Sequence, residues 1–139
     1  MLRFLALGAI TLISAAPLSA QASAPMDSLE LGRKASDWFF HGQSDSLWAH
    51  VTDTTAWKSK AEFVDGLKAN LSQLVSRAGF EVQVLKEEFV KRHGQTQYWR
   101  TGQYSNLDDP IMIRWVIVGG RINGFGMNPA DQAPERDPS

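Results

Sequence analysis

Cysteine is missing from all 139 residues. The chain therefore folds without disulfides, although an oxidising compartment would permit them, and it has no thiol to carry the lipid of a lipoprotein. A long hydrophobic run is missing too. The ten residues from Phe4 to Ile13 are almost wholly apolar, but a membrane helix needs about 20, and no later stretch comes closer. Charge of one sign is not in excess, since 14 Lys and Arg stand against 15 Asp and Glu. Without a basic stripe carrying interleaved aromatics, nucleic acid is excluded as a partner.

Catalytic signatures are also sparse. Gly42-Gln43-Ser44-Asp45-Ser46 departs from the G-x-S-x-G elbow at its last position. It also follows a helical pattern, where the elbow needs a preceding strand. No serine stands three residues before a lysine, so the S-x-x-K arrangement is absent. The three histidines, His41, His50 and His93, include no pair at i, i+4, the spacing that sets two imidazoles on one helical face for zinc. His41 closes a helix, where the dipole favours a cation, and His93 sits in a turn. Asp108-Asp109-Pro110 has the composition of a turn more than of a calcium clasp. No metal and no cofactor is expected.

What the chain does hold begins with an address. Arg3, the apolar segment to Ile13, Pro17 and the small residues around Ala20-Gln21-Ala22 form the pattern of a cleaved signal peptide. Residues 1–22 are read as that leader, with cleavage after Ala22 or Ala20, and the protein as secreted or periplasmic, free of the membrane once cleaved. Residues 23–130 have the length of one domain, about 100–150 residues. That size folds without metal or disulfide. The last residues, "ADQAPERDPS", are polar and proline-rich, and 131–139 are read as a disordered tail.

Within the domain, Asp27 and Glu30 form a capping box ahead of Leu31, Ala35 and Trp38 at helical spacing. Gly42 is placed to end that helix. Ser44 or Asp45 opens a short helix with Leu47, Trp48 and Val51 on one edge. Ser59 and Glu62 form a second box before Val64, Leu67, Leu71, Leu74 and Ala78, and Gly79 stops the third helix. The sequon Asn70-Leu71-Ser72 falls inside it and is expected to stay unmodified.

After Gly79 the period becomes two. Phe80, Val82 and Val84 alternate with polar residues, then the phase slips to Leu85 and Phe89, as a β-bulge in a bent strand would make it. His93-Gly94-Gln95 turns into a strand from Gln97 to Tyr104, and Asn106 to Pro110 is expected to turn again. Ile111, Ile113, Trp115 and Ile117 share one face of a third strand; Met112, Val116 and Val118 share the other with Arg114. Gly119-Gly120 joins the third strand to a fourth, Arg121 to about Met127, as a primed hairpin turn requires. No helix follows it, and no Lys-Ser/Thr pair, so the glycines do not cradle a phosphate. Three helices followed by a four-strand meander predict an α+β layer, with the helices on one face of an antiparallel sheet.

Five tryptophans are many for a domain of this size. Indole suits a core with a polar mouth. Trp38, Trp48, Trp57 and Trp115, with Tyr98 and Arg114, are the candidate lining of a small-molecule cavity between helices and sheet. Tyr104 and Trp99 belong to the same aromatic set.

The pattern resembles the cystatin-like architecture of the nuclear transport factor 2-like superfamily. "DWFFHGQSDSLWAHVT" is similar to that group's opening, and "MIRWVIVGGRINGFGMNPA" to its closing hairpin. The likeness covers about residues 27 to 130. It is nearest a domain of unknown function in secreted bacterial proteins, sometimes fused ahead of serine or α/β-hydrolases. The resemblance implies three helices on a bent four-strand meander. It also implies pairing through the sheet into a homodimer, or a hydrolase or other protein as partner. Catalytic members resemble ketosteroid isomerase or the SnoaL-like cyclases, with an Asp or His base in the pocket. Here only His50 and Asp53 stand near the expected loop. The expectation is thus a non-catalytic binding domain for a small apolar ligand or a partner protein. The alternative is a pocket enzyme of isomerase or cyclase type, with His50 or Asp53 as general base.

Overall fold

The computed structural model describes residues 26–52 and 57–138. The expected leader and the candidate base Asp53 lie outside the described residues. The Asp27 carboxylate accepts the Glu30 N–H at 2.8 Å and opens α1 (Ser28–Phe40). Leu31, Ala35 and Phe39, four apart, form its buried stripe. Gly42, with φ of +68°, leads out of α1 into α2 (Ser44–Trp48). Ser59 Oγ accepts the Glu62 N–H at 3.1 Å and starts α3 (Lys60–Ala78). Gly79 ends it with φ of +81°. Local capping chemistry thus accounts for the helix limits.

Four antiparallel strands follow in chain order: β1 (Glu81–Arg92), β2 (Gln95–Tyr104), β3 (Leu107–Val118) and β4 (Arg121–Pro129). The turns His93-Gly94 and Gly119-Gly120 have positive φ throughout, at 54°, 73°, 61° and 74°. That is the I′ geometry whose twist matches a hairpin. The expected turn from Asn106 to Pro110 is corrected. The chain reverses at Ser105-Asn106, and β3 already begins at Leu107. The ladder runs from Gly102 paired with Ile111 to Tyr104 paired with Leu107, so Asp108 to Pro110 face only Gln103. A proline there removes no ladder bond. The Gln103 amide serves the stretch instead, donating to the Leu107 carbonyl at 2.6 Å.

The phase slip in β1 is present at Leu85, and a second lies at Val82. Both are extra residues against β2. The molecule is α+β, with its helices ahead of an open sheet. Leu31, Phe39, Leu47, Phe63 and Leu67 from the helices enclose Tyr98, Ile113, Trp115 and Ile122 from the inner sheet face. Among the described residues no helix is long and apolar enough to cross a membrane.

The sheet's two edges differ. Along β4, Ile122 donates to the His50 carbonyl at 2.7 Å and accepts from Thr52 N–H at 2.9 Å. Val51 thereby makes a parallel bridge to Ile122. The tail is also corrected: it is not free. After a 3-10 turn (Ala130–Gln132), residues to Asp137 bond to the β1–β2 hairpin. Composition predicts disorder because it counts few apolar groups; the acceptors and donors of the hairpin hold this segment instead.

Candidate functional site

The side chains expected to line one cavity do not converge. Arg114 and Trp115 are neighbours on β3, and a pleat sends neighbours to opposite faces. Trp115 lies fully buried under α1, between Phe39 and Phe125, and its Nε1–H donates to Ser36 Oγ at 3.1 Å. Tyr98 is fully buried beside it. Trp48 and Trp57 both pack on Phe63, with ring centroids at 5.3 and 4.7 Å. Together they border a surface hollow of about 410 Å³ beside Arg121. Trp38 lies against the His50 ring at 4.8 Å. Between Trp38, Phe39, Leu47 and Leu67 the interior leaves a void of about 10 Å³, about one water's worth.

Arg114 sits on the outer face. Its guanidinium covers the backbone of Gly126, where a Cβ would come within 2.6 Å of Cζ. Nη2 donates to Asn128 Oδ1 at 3.0 Å, while the buried Nε has no partner. Burial, with repulsion from Arg92, lowers its pKa. His50 Nδ1 lies 2.9 Å from the Ser46 carbonyl. That nitrogen must therefore carry the proton, as a helix-end donor.

A polar cluster that sequence reasoning missed joins α1 to the β1–β2 margin. Arg33 grips Glu87 with two bonds, at 2.9 and 3.0 Å, and Tyr98 OH donates to the same carboxylate at 2.5 Å. Beside it Arg100 pairs with Glu81 at 2.5 Å and lies over the Phe40 ring at 5.7 Å. Tyr104 OH is buried next to this pair without a hydrogen-bond partner. The Arg33 hydrogen bond holds Glu87 below the ordinary carboxylate range, against the opposing effect of burial. Burial and then Glu87 raise Tyr98 well above an ordinary phenol, and burial raises Tyr104 likewise. Each shift moves its group away from neutrality, whereas a general acid or base works best with a pKa near the operating pH. The Arg33–Glu87 pair of the cluster ties helix to sheet, and Arg100–Glu81 joins β2 to β1.

Around it several apolar side chains in and just before β1 are bare. Phe80, Val82, Val84, Leu85 and Phe89 are 66, 64, 41, 46 and 47% exposed. These are most of the large exposed apolar side chains among the described residues. The cause is geometric: α1 packs chiefly across β2 and β3, so the alternation in β1 has no helix above it. A separate groove of about 360 Å³ runs between α3 and the β3–β4 end, lined by Leu74, Ala78, Leu107, Ile111 and Met127, with Arg77 also bordering it. Among the described residues, no three His, Cys, Asp or Glu side chains gather to hold a metal ion.

In comparison with known proteins, no family model matches the chain, and no curated protein or solved structure matches it significantly.

Proposed function

We propose that this chain is a secreted or periplasmic, non-catalytic domain of the nuclear transport factor 2-like, cystatin-like superfamily. It binds a partner protein along the β1 margin of its sheet. The observation that carries this reading is the exposed apolar row Phe80, Val82, Val84, Leu85 and Phe89 on an edge strand. Large exposed apolar groups concentrated on one element mark an interaction surface, and an edge offers main-chain groups as well as side chains. The edges differ in what occupies them: β4 is bridged at Ile122 by Val51 and Thr52, whereas on β1 the tail takes the Lys91 carbonyl at the hairpin end, away from Phe80 to Leu85. The hollow between Trp38, Phe39, Leu47 and Leu67 holds only about 10 Å³, too little for a ligand at that place. A small apolar ligand would use a surface hollow instead, either the α3–β3–β4 groove or the one beside Trp48 and Trp57. The enzyme alternative has less support, because His50 is committed to a carbonyl and stacked on Trp38.

Val82→Lys with Val84→Lys tests the reading. Both side chains are exposed, so the thermal midpoint should stay within about 2 °C. A partner purified from the source cells on the parent protein should then bind the double variant at least tenfold more weakly. Equal affinity would dismiss this surface. Light scattering over a concentration series distinguishes a second copy from a foreign partner.

A further inference from the structure

The outer face of the β1–β2 hairpin holds three consecutive tail residues by contacts too specific for a loosely packed end. Arg136 forms a two-pronged pair with Glu88, at 2.6 and 3.1 Å, and its guanidinium lies 5.0 Å above the Trp99 ring. Asp137 places one carboxylate oxygen on the His93 N–H at 2.9 Å and the other on the Gly94 N–H at 2.8 Å. Successive N–H groups of a left-handed turn form a small anion nest, and here it is filled. Main-chain atoms are read as well. Asp137 N–H donates to the Lys91 carbonyl at 2.9 Å, and Arg92 Nε donates to the Glu135 carbonyl at 3.0 Å. Trp99, whose Nε1–H is satisfied by Gln97 Oε1 at 2.8 Å, is 1% exposed although it lies on the face opposite the helices.

We infer that this hairpin face is a peptide-recognition site for an extended segment carrying Arg-Asp, and that the chain's own residues 135–137 occupy it as an internal ligand. Three features give it selectivity. A carboxylate above an aromatic face takes a planar cation and prefers arginine to lysine. The two turn amides accept only a short anionic side chain at the next position. Bonds to the main chain on either side require an extended backbone. The internal segment is joined to the sheet by only the few residues after Gln132, so its effective concentration is high and a free peptide must displace it. The partner is therefore a protein with an exposed Arg-Asp segment, bound when the tail leaves. This inference does not depend on the β1 apolar row.

The test uses the whole chain carrying Arg136→Ala and Asp137→Ala, which leaves every strand pairing intact. The free hexapeptide with the sequence of Ala133–Pro138 is titrated against it and against the parent, followed by tryptophan fluorescence and the His93 and Gly94 amide resonances. The substituted chain should show saturable binding, with both amides shifting, at an affinity at least tenfold above the parent's. Peptides with Arg136→Lys or Asp137→Asn should bind at least tenfold more weakly. Equal binding of the peptide to both chains, equal binding of a scrambled peptide, or no binding to the folded variant would overturn the inference. Amide exchange on the parent gives an independent reading: His93 and Gly94 should be protected at least tenfold over an open turn. Exchange at the open-turn rate would show an empty nest and end the proposal.

Discussion

Alanine in place of Gly32 should destabilise this protein, although helix propensity says the opposite. Gly32 lies in the middle of α1, where exchanging glycine for alanine ordinarily gains about 0.5–1 kcal/mol. A Cβ at Gly32 would stand 2.4 Å from Tyr98 Cγ and 2.7 Å from both Cδ atoms. That ring cannot move aside easily. It is fully buried, its hydroxyl is tied to Glu87 at 2.5 Å, and Phe89 packs at 6.0 Å. Overpacking a closed site costs roughly 1–3 kcal/mol, and contact with a rigid ring belongs at the upper end. Subtracting the helical gain leaves a net loss of about 2 kcal/mol. With a urea m-value of roughly 1–3 kcal/mol per M, the midpoint should fall by about 1 M. Gly66 is the internal control, since it is also helical, in α3, and nothing lies within 4 Å of a Cβ built there. Gly66→Ala should raise the midpoint. Urea unfolding, read by tryptophan fluorescence and far-ultraviolet circular dichroism, compares the two. If Gly32→Ala also raised it, the close seating of α1 on Tyr98 would be wrong.

Ser36→Ala should cost about 1–3 kcal/mol, because it leaves the buried Trp115 N–H without its acceptor; an unchanged urea midpoint would show that indole satisfied elsewhere. Glu87→Gln should alter the response to acid. The folded carboxylate is held below its ordinary value, chiefly by Arg33, so its stabilisation is present above about pH 4.3 and disappears as pH falls through the lower folded value. In the variant the fall in thermal midpoint below about pH 4 should be shallower, with no change in slope between pH 7 and 9. An acid limb identical to the parent's would place the stabilising charge elsewhere.

The elements that could be read from the sequence are those whose chemistry is local. Asp27 with Glu30 and Ser59 with Glu62 start helices by bonds spanning three residues. Gly42, Gly79 and Gly119-Gly120 supply backbone conformations that other residues resist. The start of β3 was not legible for the same reason in reverse. Asp108-Asp109-Pro110 carries turn residues, and only the register of β2, with Gln103 displaced from the ladder, makes room for them in a strand. The polar cluster was hidden by distance along the chain: 54 residues separate Arg33 from Glu87, and 19 separate Arg100 from Glu81. No spacing rule connects such pairs. Arg114 and Trp115, by contrast, are kept from one cavity by strand geometry itself, since consecutive residues of a regular strand point to opposite faces.

The β1 row shows why an exposed apolar strand can look like core until the fold is known. Alternation at a period of two reports that a strand has an apolar side; it does not report whether anything covers that side. For Ile113, Trp115 and Ile117 the answer is α1 and the helical layer, and they are buried. For Phe80, Val82 and Val84 the same signal ends in solvent, because the bulges at Val82 and Leu85 fall in the strand that lies beyond the helices. Bulges and edge lysines are the usual means of blocking indiscriminate pairing. Lys86 and Lys91 stand on this edge while the apolar side chains between and before them are kept. An edge that carries two bulges and lysines, yet keeps its apolar side chains, is the feature on which the proposed partner surface rests.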